Sequence, residues 1–417
     1  MMILPKIVHH VHLSSNLDIP FRSILIFKRC PATQTKETQC MHTMSPRIHI
    51  IGLGSVGVIV ANALASLRQR PDLTLMFHRR LSCEGQLSLT VNGIYKNVRS
   101  GFDVEEFQDG HWRRRPSSYD DPHVSPIDTL IVAVKANYTR SVLNTVKHRL
   151  SRNSTILFLQ NGMGILEEVD ESVFPDPAQR PHYMIGINTN GTSRTGQLSA
   201  HHTSLGEIPF GMAPRLSSPE LSHGQWHQDP RLIRSARPMI DALSNSPNLN
   251  ARLVSAEDIL HLQLKKLAIN AVMNPLTALL ECKIGMLYSS QQPWIRRLIE
   301  LMLEEISAVL RALPLSFQTS LDLEAEFAAK QLTSMVEAFA RRLPQHSSSM
   351  MQDIGKGSET EIAYLTGFLI RLGMQLGINC PVNNYIMQAV LEKQESQRYG
   401  GDKQRANTQQ LRKAQPL

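Results

Sequence analysis

Gly52-Leu53-Gly54-Ser55-Val56-Gly57 constrains this chain's fold more than any other segment. It follows the short β-rich run Ile48-His49-Ile50-Ile51 and precedes Val58 to Leu67, an alanine- and leucine-rich segment of helical character. Three glycines at this spacing, between a strand and a helix, predict the turn of a dinucleotide-binding βαβ unit. The first glycine permits a tight bend, the second lets a pyrophosphate approach the backbone, and the third lets helix and strand pack closely. The helix N-terminus adds unpaired N–H groups and a partial positive charge for an anion. Outside that context the string would be a weak signal.

Further strands are expected at Leu73 to Phe77, Thr129 to Val134 and Ser154 to Leu159, the last two apolar enough to be buried on both faces. Strands alternating with helical segments predict an α/β fold with a Rossmann-type, doubly wound parallel sheet. From about residue 253 the pattern changes to long helical periods at 256–274, 292–312, 321–342, 359–377 and 382–395, which predicts an all-helical C-terminal domain. The expected organisation is a disordered extension over 1–46, a nucleotide-binding domain over 47–252, a helical substrate domain over 253–395 and a disordered basic tail over 396–417. Polar stretches at 103–127, containing Arg113-Arg114-Arg115, and at 213–237 read as surface insertions, the arginine run as a solvated loop.

The net charge of +8 raises the question of a nucleic-acid partner. Residues 1–46 carry +3 and residues 396–417 carry +4, which leaves the body at +1 and argues against a basic groove across the fold. The five cysteines are scattered without a Cys-x-x-Cys pair, against a zinc site or a disulfide framework and in favour of a reducing compartment. His201 and His202 have no third ligand nearby in sequence and read as strand-end residues, so no metal is expected. No apolar run reaches eighteen residues, so no membrane span is expected. A cytoplasmic location follows, or a mitochondrial one if residues 1–46 act as a transit peptide. The alternative is a start at Met44.

The second strand ends Phe77-His78-Arg79-Arg80, without the acid that would bind a ribose 2′-hydroxyl. A guanidinium there suits the 2′-phosphate of NADP(H), and Arg79 is the expected partner.

Lys266, Asn270 and Asn274 fall at i, i+4 and i+8, one polar strip along a helix, beside an apolar stripe of Leu260, Leu264, Leu267 and Ala271. Such a strip suits a cleft wall. Pro275 is expected to kink this helix or to open a new one capped by Asn274. Hydride delivery to a ketone needs a proton donor and positioned stabilisers for the developing alkoxide, and an ammonium serves both needs. The string Lys266-Leu267-Ala268-Ile269-Asn270-Ala271-Val272-Met273-Asn274-Pro275-Leu276-Thr277 is one of five ordered motifs. The others are the glycine turn, Val134-Lys135-Ala136-Asn137, Gln160-Asn161-Gly162-Met163-Gly164, and Ser348-Ser349-Met350-Met351-Gln352-Asp353 leading to Thr360-Glu361-Ile362. Together, over roughly residues 47–395, they resemble the ketopantoate reductase (2-dehydropantoate 2-reductase) family.

The resemblance implies NADPH-dependent reduction of 2-dehydropantoate to (R)-pantoate in pantothenate and coenzyme A synthesis. It implies Lys266 as general acid and Glu361 as the active-site glutamate. Asn270, Asn274 and Ser349 would bind the substrate's hydroxyl and carboxylate, and Lys135 and Asn161 would lie near the cofactor. Ser358 and Ala363 depart from the family's usual residues in the last motif. The expected partner is a small keto acid, without nucleic acid or membrane, in a monomer or homodimer. The rivals are a reductase of another branched 2-keto acid and a non-catalytic relative acting as an organellar RNA-binding factor. Retention of Lys266, Asn270, Asn274, Ser349 and Glu361 argues against the latter.

Overall fold

The computed structural model describes residues 46–78, 80–81, 86–91, 95–115, 125–213, 230–289, 292–314 and 322–413. The first half runs β1 (Arg47–Ile51), α1 (Ser55–Ala65), β2 (Asp72–Phe77), β3 (Leu87–Val91), β4 (Tyr95–Arg99), β5 (Asp103–Gln108), β6 (His111–Arg115) and β7 (Thr129–Val132). It continues with α2 (Ala136–Val146), β8 (Thr155–Phe158), α3 (Ile165–Ser172), β9 (His182–Gly186), β10 (Gly191–Gly196), β11 (Ser199–Ser204), β12 (Ile208–Met212), α4 (Pro230–Ser244) and β13 (Ala251–Leu253).

Nine strands form one sheet in the order β13-β12-β9-β8-β7-β1-β2-β5-β6. Its centre, from β9 to β5, is parallel, as βαβ connections require. Ile48, Ile50, Leu130, Ile131, Ile156 and Leu157 are fully buried in these strands, consistent with helices covering both faces. A second sheet, β10-β11-β3-β4, lies over α1. Helix α1 is therefore buried on nearly every side, from Gly57 to Ala65, and its Val58-to-Ala65 core residues join those of β1 and β3. Its small residues allow this close packing between two sheets.

The 103–127 stretch is not a surface insertion over its described part. Strands β5 and β6 form an antiparallel hairpin that extends the sheet edge. The turn is Asp109-Gly110, both at positive φ, the usual residues of a two-residue hairpin loop. The arginine run lies within β6 with acids as partners: Arg114 bonds Asp103 at 2.5 Å and Arg115 reaches Glu106 at 3.3 Å. Residues 116–124 lie outside the described residues, as do 214–229 of the second stretch, and from Pro230 that stretch becomes α4. His201 and His202 sit inside β11 rather than at a strand end. Adjacent strand residues face opposite ways, so the two rings do not converge, and His202 Nε2 pairs with Asn190 Oδ1 at 3.0 Å. No metal-binding cluster of His, Cys, Asp or Glu occurs among the described residues.

The helical half comprises α5 (Ala256–Leu280), α6 (Met286–Ser289), α7 (Pro293–Arg311), α8 (Leu323–Glu326), α9 (Ala329–Arg342), α10 (Ser349–Gly355), α11 (Thr366–Gln375) and α12 (Pro381–Lys413). Strand β13 straddles the expected division at residue 252, and α5 starts three residues after it. Leu264, Leu267 and Ala271 of α5 pack with Met302 and Ile306 of α7, Val336 of α9 and Leu369 of α11 in one core. Ser255 caps α5 by accepting from Asp258 N, and acids occupy the first turn. Pro275 does not open a new helix, since α5 continues through it to Leu280. Nor does the chain become irregular after 395. The backbone of α12 continues through Gly400 and Gly401 to Lys413, in a segment rich in Gln, Lys and Arg that propagate an established helix readily. Among the described residues no helix is long and apolar enough to cross a membrane.

Candidate functional site

The register of the parallel strands sets the site. Ile51 pairs with Val132, Val132 with Phe158, and Phe158 with Ile185, so β1, β7, β8 and β9 end level with one another. The loops that follow therefore emerge side by side along the carboxyl edge of the sheet, where open α/β sheets bind ligands. They carry the glycine turn, Lys135, Asn161 and Asn188 respectively.

In the glycine turn each glycine answers to a different neighbour. Gly52 has φ +95°, and a Cβ there would lie 2.3 Å from Val134 N. A Cβ on Gly57 would lie 2.2 Å from the Gly52 carbonyl oxygen. These two are required by the fold. Gly54 is different: a Cβ there would meet nothing within 4 Å, so the open side of this residue faces free space. Gly54 is also the N-cap of α1 and provides no side-chain cap, and the first turn of the helix holds no acid. An uncapped helix start beside an open glycine fits a phosphate group. Leu53 is buried, Val56 packs against the core, and Ser55 Oγ accepts a hydrogen bond from Thr192 of β10 at 2.9 Å. Arg79, the expected 2′-phosphate partner, lies outside the described residues. The strand end before it is an aromatic cluster, with His78, Phe107 and Trp112 rings 5.2 to 5.4 Å apart.

Further along the edge, the sheet half meets the helical half around Glu361. Glu361 is buried, with Oε1 accepting from Ala136 N at 2.9 Å and Oε2 from Asn161 Nδ2 at 3.2 Å. Burial pushes its carboxyl pKa up, against the pull of those two donors. Lys135 is the N-cap of α2. Its ammonium donates to the Glu359 carbonyl at 2.9 Å and pairs with Asp353 at 2.8 Å. Asn137 donates to Glu359 Oε2 at 2.8 Å. The loop after β8 is locked against the same segment, with Met163 N donating to the Tyr364 carbonyl at 2.9 Å. Gly162 is obligatory there, because a Cβ would lie 2.4 Å from that carbonyl oxygen.

Lys266 projects from α5 toward this edge and donates to the Asn188 carbonyl at 2.9 Å. Burial lowers its pKa from 10.5 to about 8, and the nearby negative charge of Glu361 opposes that shift. Asn274 is buried and Asn270 half-buried, and neither side chain bonds another described residue. Ser349 opens α10 exposed and likewise unbonded. Its neighbour Ser348 is the buried cap of that helix, accepting from Met351 N at 3.1 Å and from Thr277 Oγ1 at 2.7 Å.

The structure thus brings Lys135, Asn161, Lys266 and Glu361 to one seam. Asn270 and Asn274 continue the Lys266 strip along α5. Sequence reasoning missed the roles of Asp353, Glu359 and Asn137 as the partners that tie the seam, and of the Asn188 carbonyl that receives Lys266. Their contacts join residues some 80 to more than 200 positions apart, for which no local pattern exists. Chemically, the site offers an ammonium held close to neutrality, an adjacent carboxylate and uncommitted amides.

The family model "Ketopantoate reductase PanE/ApbA" matches residues 48–215, and "Ketopantoate reductase PanE/ApbA C terminal" matches residues 258–394. The probable 2-dehydropantoate 2-reductase of Schizosaccharomyces pombe is 27% identical over 351 residues, covering 82% of this chain and 95% of that protein. The ketoisovalerate reductase of Beauveria bassiana is 26% identical over 380 residues, covering 81% of this chain and 80% of that protein. Among solved structures, D-mandelate dehydrogenase in a ternary complex with NADH and anilino(oxo)acetate shares the fold. Its TM-score is 0.61 at 19% identity, covering 84% of this chain and 99% of that one. The two family models cover the sheet half and the helical half, including every element that contributes to the seam, and the chain belongs to the ketopantoate reductase family.

Proposed function

We propose that this protein is an NADPH-dependent reductase that converts 2-dehydropantoate to (R)-pantoate. The observation that carries the reading is Lys266, which reaches from the strip it shares with Asn270 and Asn274 to the Asn188 carbonyl at 2.9 Å, with burial lowering its pKa to about 8 and the charge of Glu361 opposing that shift. An acid near neutrality can protonate a developing alkoxide, and a positive charge at that point stabilises it beforehand. A bound nicotinamide dinucleotide supplies the hydride.

The chain's own residues account for the rest. The uncapped start of α1 and the open face of Gly54 receive the pyrophosphate. Leu53, Ser55 and Val56 shape that turn, and Arg79 pairs with the 2′-phosphate. Lys135 and Asn161 border the nicotinamide end. Asn270, Asn274 and Ser349, whose side chains bond no other described residue, hold the carboxylate and hydroxyl of the substrate. Glu361 keeps Lys266 charged and orients Asn161. The expected division is a nucleotide-binding domain up to 252 and a substrate domain over 253–395.

A second reading, reduction of ketoisovalerate or another branched 2-keto acid, is favoured by the ketoisovalerate reductases among the relatives. Oxidation of NADPH and of NADH followed with each acid separates them. Turnover of ketopantoate with NADPH supports the first reading, and turnover of ketoisovalerate alone replaces it with the second. Arg79→Ser is expected to lower kcat/KM for NADPH and leave that for NADH unchanged. Equal effects on both would remove Arg79 from the cofactor site.

A further inference from the structure

The segment that carries Glu361 is gripped from two sides. On one side stands the start of α2. Lys135 donates to the Glu359 carbonyl, Asn137 to the Glu359 carboxylate, and Ala136 N to Glu361 itself. On the other side stands α12. Its Ile386 and Val390 are buried in the helical core, and the same i, i+4 row continues as Gln394 and Arg398. Gln394 Oε1 accepts from Thr360 N at 2.7 Å, and Arg398 pairs with Glu359 Oε1 at 2.8 Å. The Glu359 carboxylate therefore bridges the two helices, with Oε2 on Asn137 and Oε1 on Arg398. The two contacts of α12 differ in weight. The Arg398–Glu359 pair is exposed and by itself holds little. Thr360 is buried, and a buried N–H that loses its acceptor costs more.

We propose that Gln394 and Arg398 are positioning residues for the reduction, because α12 through them holds Glu359 and Thr360 where Glu361 meets Asn161 and acts on Lys266. This assignment rests on the reading of Lys266 as the general acid. The titratable groups that interact with Glu361 are Lys135 of α2, Asp353 of α10, Lys266 of α5 and Tyr364 of its own segment. Lys135 and Asp353 pair with each other. Glu361 is the charge that favours the protonated form of the buried Lys266. If α12 releases Glu359 and Thr360, Glu361 loses its place, and the Lys266 pKa falls further below its ordinary value.

The test follows kcat/KM from pH 6 to pH 10 with NADPH and ketopantoate, or ketoisovalerate if the wild type reduces that acid alone. In the wild type the value falls above about pH 8, where Lys266 loses its proton. Gln394→Met keeps the side-chain length and removes the acceptor. It is expected to move the fall down by about one pH unit, so that kcat/KM drops about tenfold more at pH 9 than at pH 6. Arg398→Leu, at an exposed position, is expected to move it the same way by less, and carries the test alone if Gln394→Met does not fold. Loss of a positive charge by itself raises the pKa of a nearby lysine, so a downward shift reads the displacement of Glu361 and not the missing charge. Arg398→Lys is expected to keep the wild-type profile. Lys393→Met is the control, since it breaks the contacts of α12 with Glu281 and the Leu279 carbonyl and leaves residues 359–361 untouched. Its profile is expected to stay at pH 8. A fall that stays at pH 8 in the folded Gln394 and Arg398 variants, or that moves equally in Lys393→Met, would overturn the assignment. A wild-type profile level to pH 10 would overturn the general-acid reading and this assignment with it.

Discussion

At the residue scale the decisive balance is at Lys266. Burial favours the neutral amine and Glu361 favours the ammonium, and the outcome is a pKa of about 8. The lysine is charged below that value and neutral above it. If Lys266 is the acid, kcat/KM for ketone reduction is level below pH 8 and falls about tenfold per unit above it. A profile level to pH 10 would exclude the role. Lys266→Ala is expected to lower kcat on the order of 10²- to 10⁴-fold with cofactor affinity retained, as read from NADPH fluorescence titration. Half of this arrangement was legible from spacing alone, because i, i+4, i+8 polar residues beside an apolar stripe mark a covered helix edge. The burial of the ammonium was not, since it depends on Asn188 and Glu361, which arrive from distant segments.

At the element scale, the glycine turn separates fold from binding. Gly57→Ala places a Cβ against the Gly52 carbonyl and is expected to destabilise the protein by about 1–3 kcal/mol in urea unfolding. Gly54→Ala has open space and an ordinary φ of −74°, so stability is expected to stay unchanged while NADPH affinity falls at least about tenfold. A stable Gly54→Ala protein with unaltered affinity would remove the phosphate from this turn. The buried parallel strands were readable as apolar runs. The hairpin of β5 and β6 carried a usable signal in Asp109-Gly110, overshadowed by the arginine run. Strands β3, β4, β10 and β11 are short, and β3, β10 and β11 are rich in Ser and Thr. They gain their order by covering α1 rather than from their own pattern.

At the scale of the whole molecule, stability is tied to pH through His49, buried in the central strand β1. Burial lowers its pKa from 6.5 to about 4, with Glu105 and Arg149, themselves a bidentate pair, acting in opposite directions on it. The unfolded chain therefore takes up the proton first as pH falls. The neutral ring's contribution is fully present above pH 6.5 and is lost through pH 4, roughly 3 kcal/mol in all at about 1.4 kcal/mol per unit, of which about 2 is gone by pH 5. Urea unfolding at pH 7 and pH 5 measures it, and His49→Leu is expected to flatten the difference. An unchanged slope in that variant would assign the acid sensitivity elsewhere.

The seam at Glu361 also has a thermodynamic consequence for motion between the halves. Separating them breaks the bonds from Ala136 and Asn161 and returns Lys266 to water. Its pKa then rises from about 8 toward 10.5. Opening between those two values is therefore a proton-uptake reaction, and closure releases the proton to the solvent. Calorimetric titration with cofactor and substrate at pH 9, in buffers of different ionisation enthalpy, is expected to show heats that change with the buffer. The same titration of Lys266→Met is expected to show a weaker dependence.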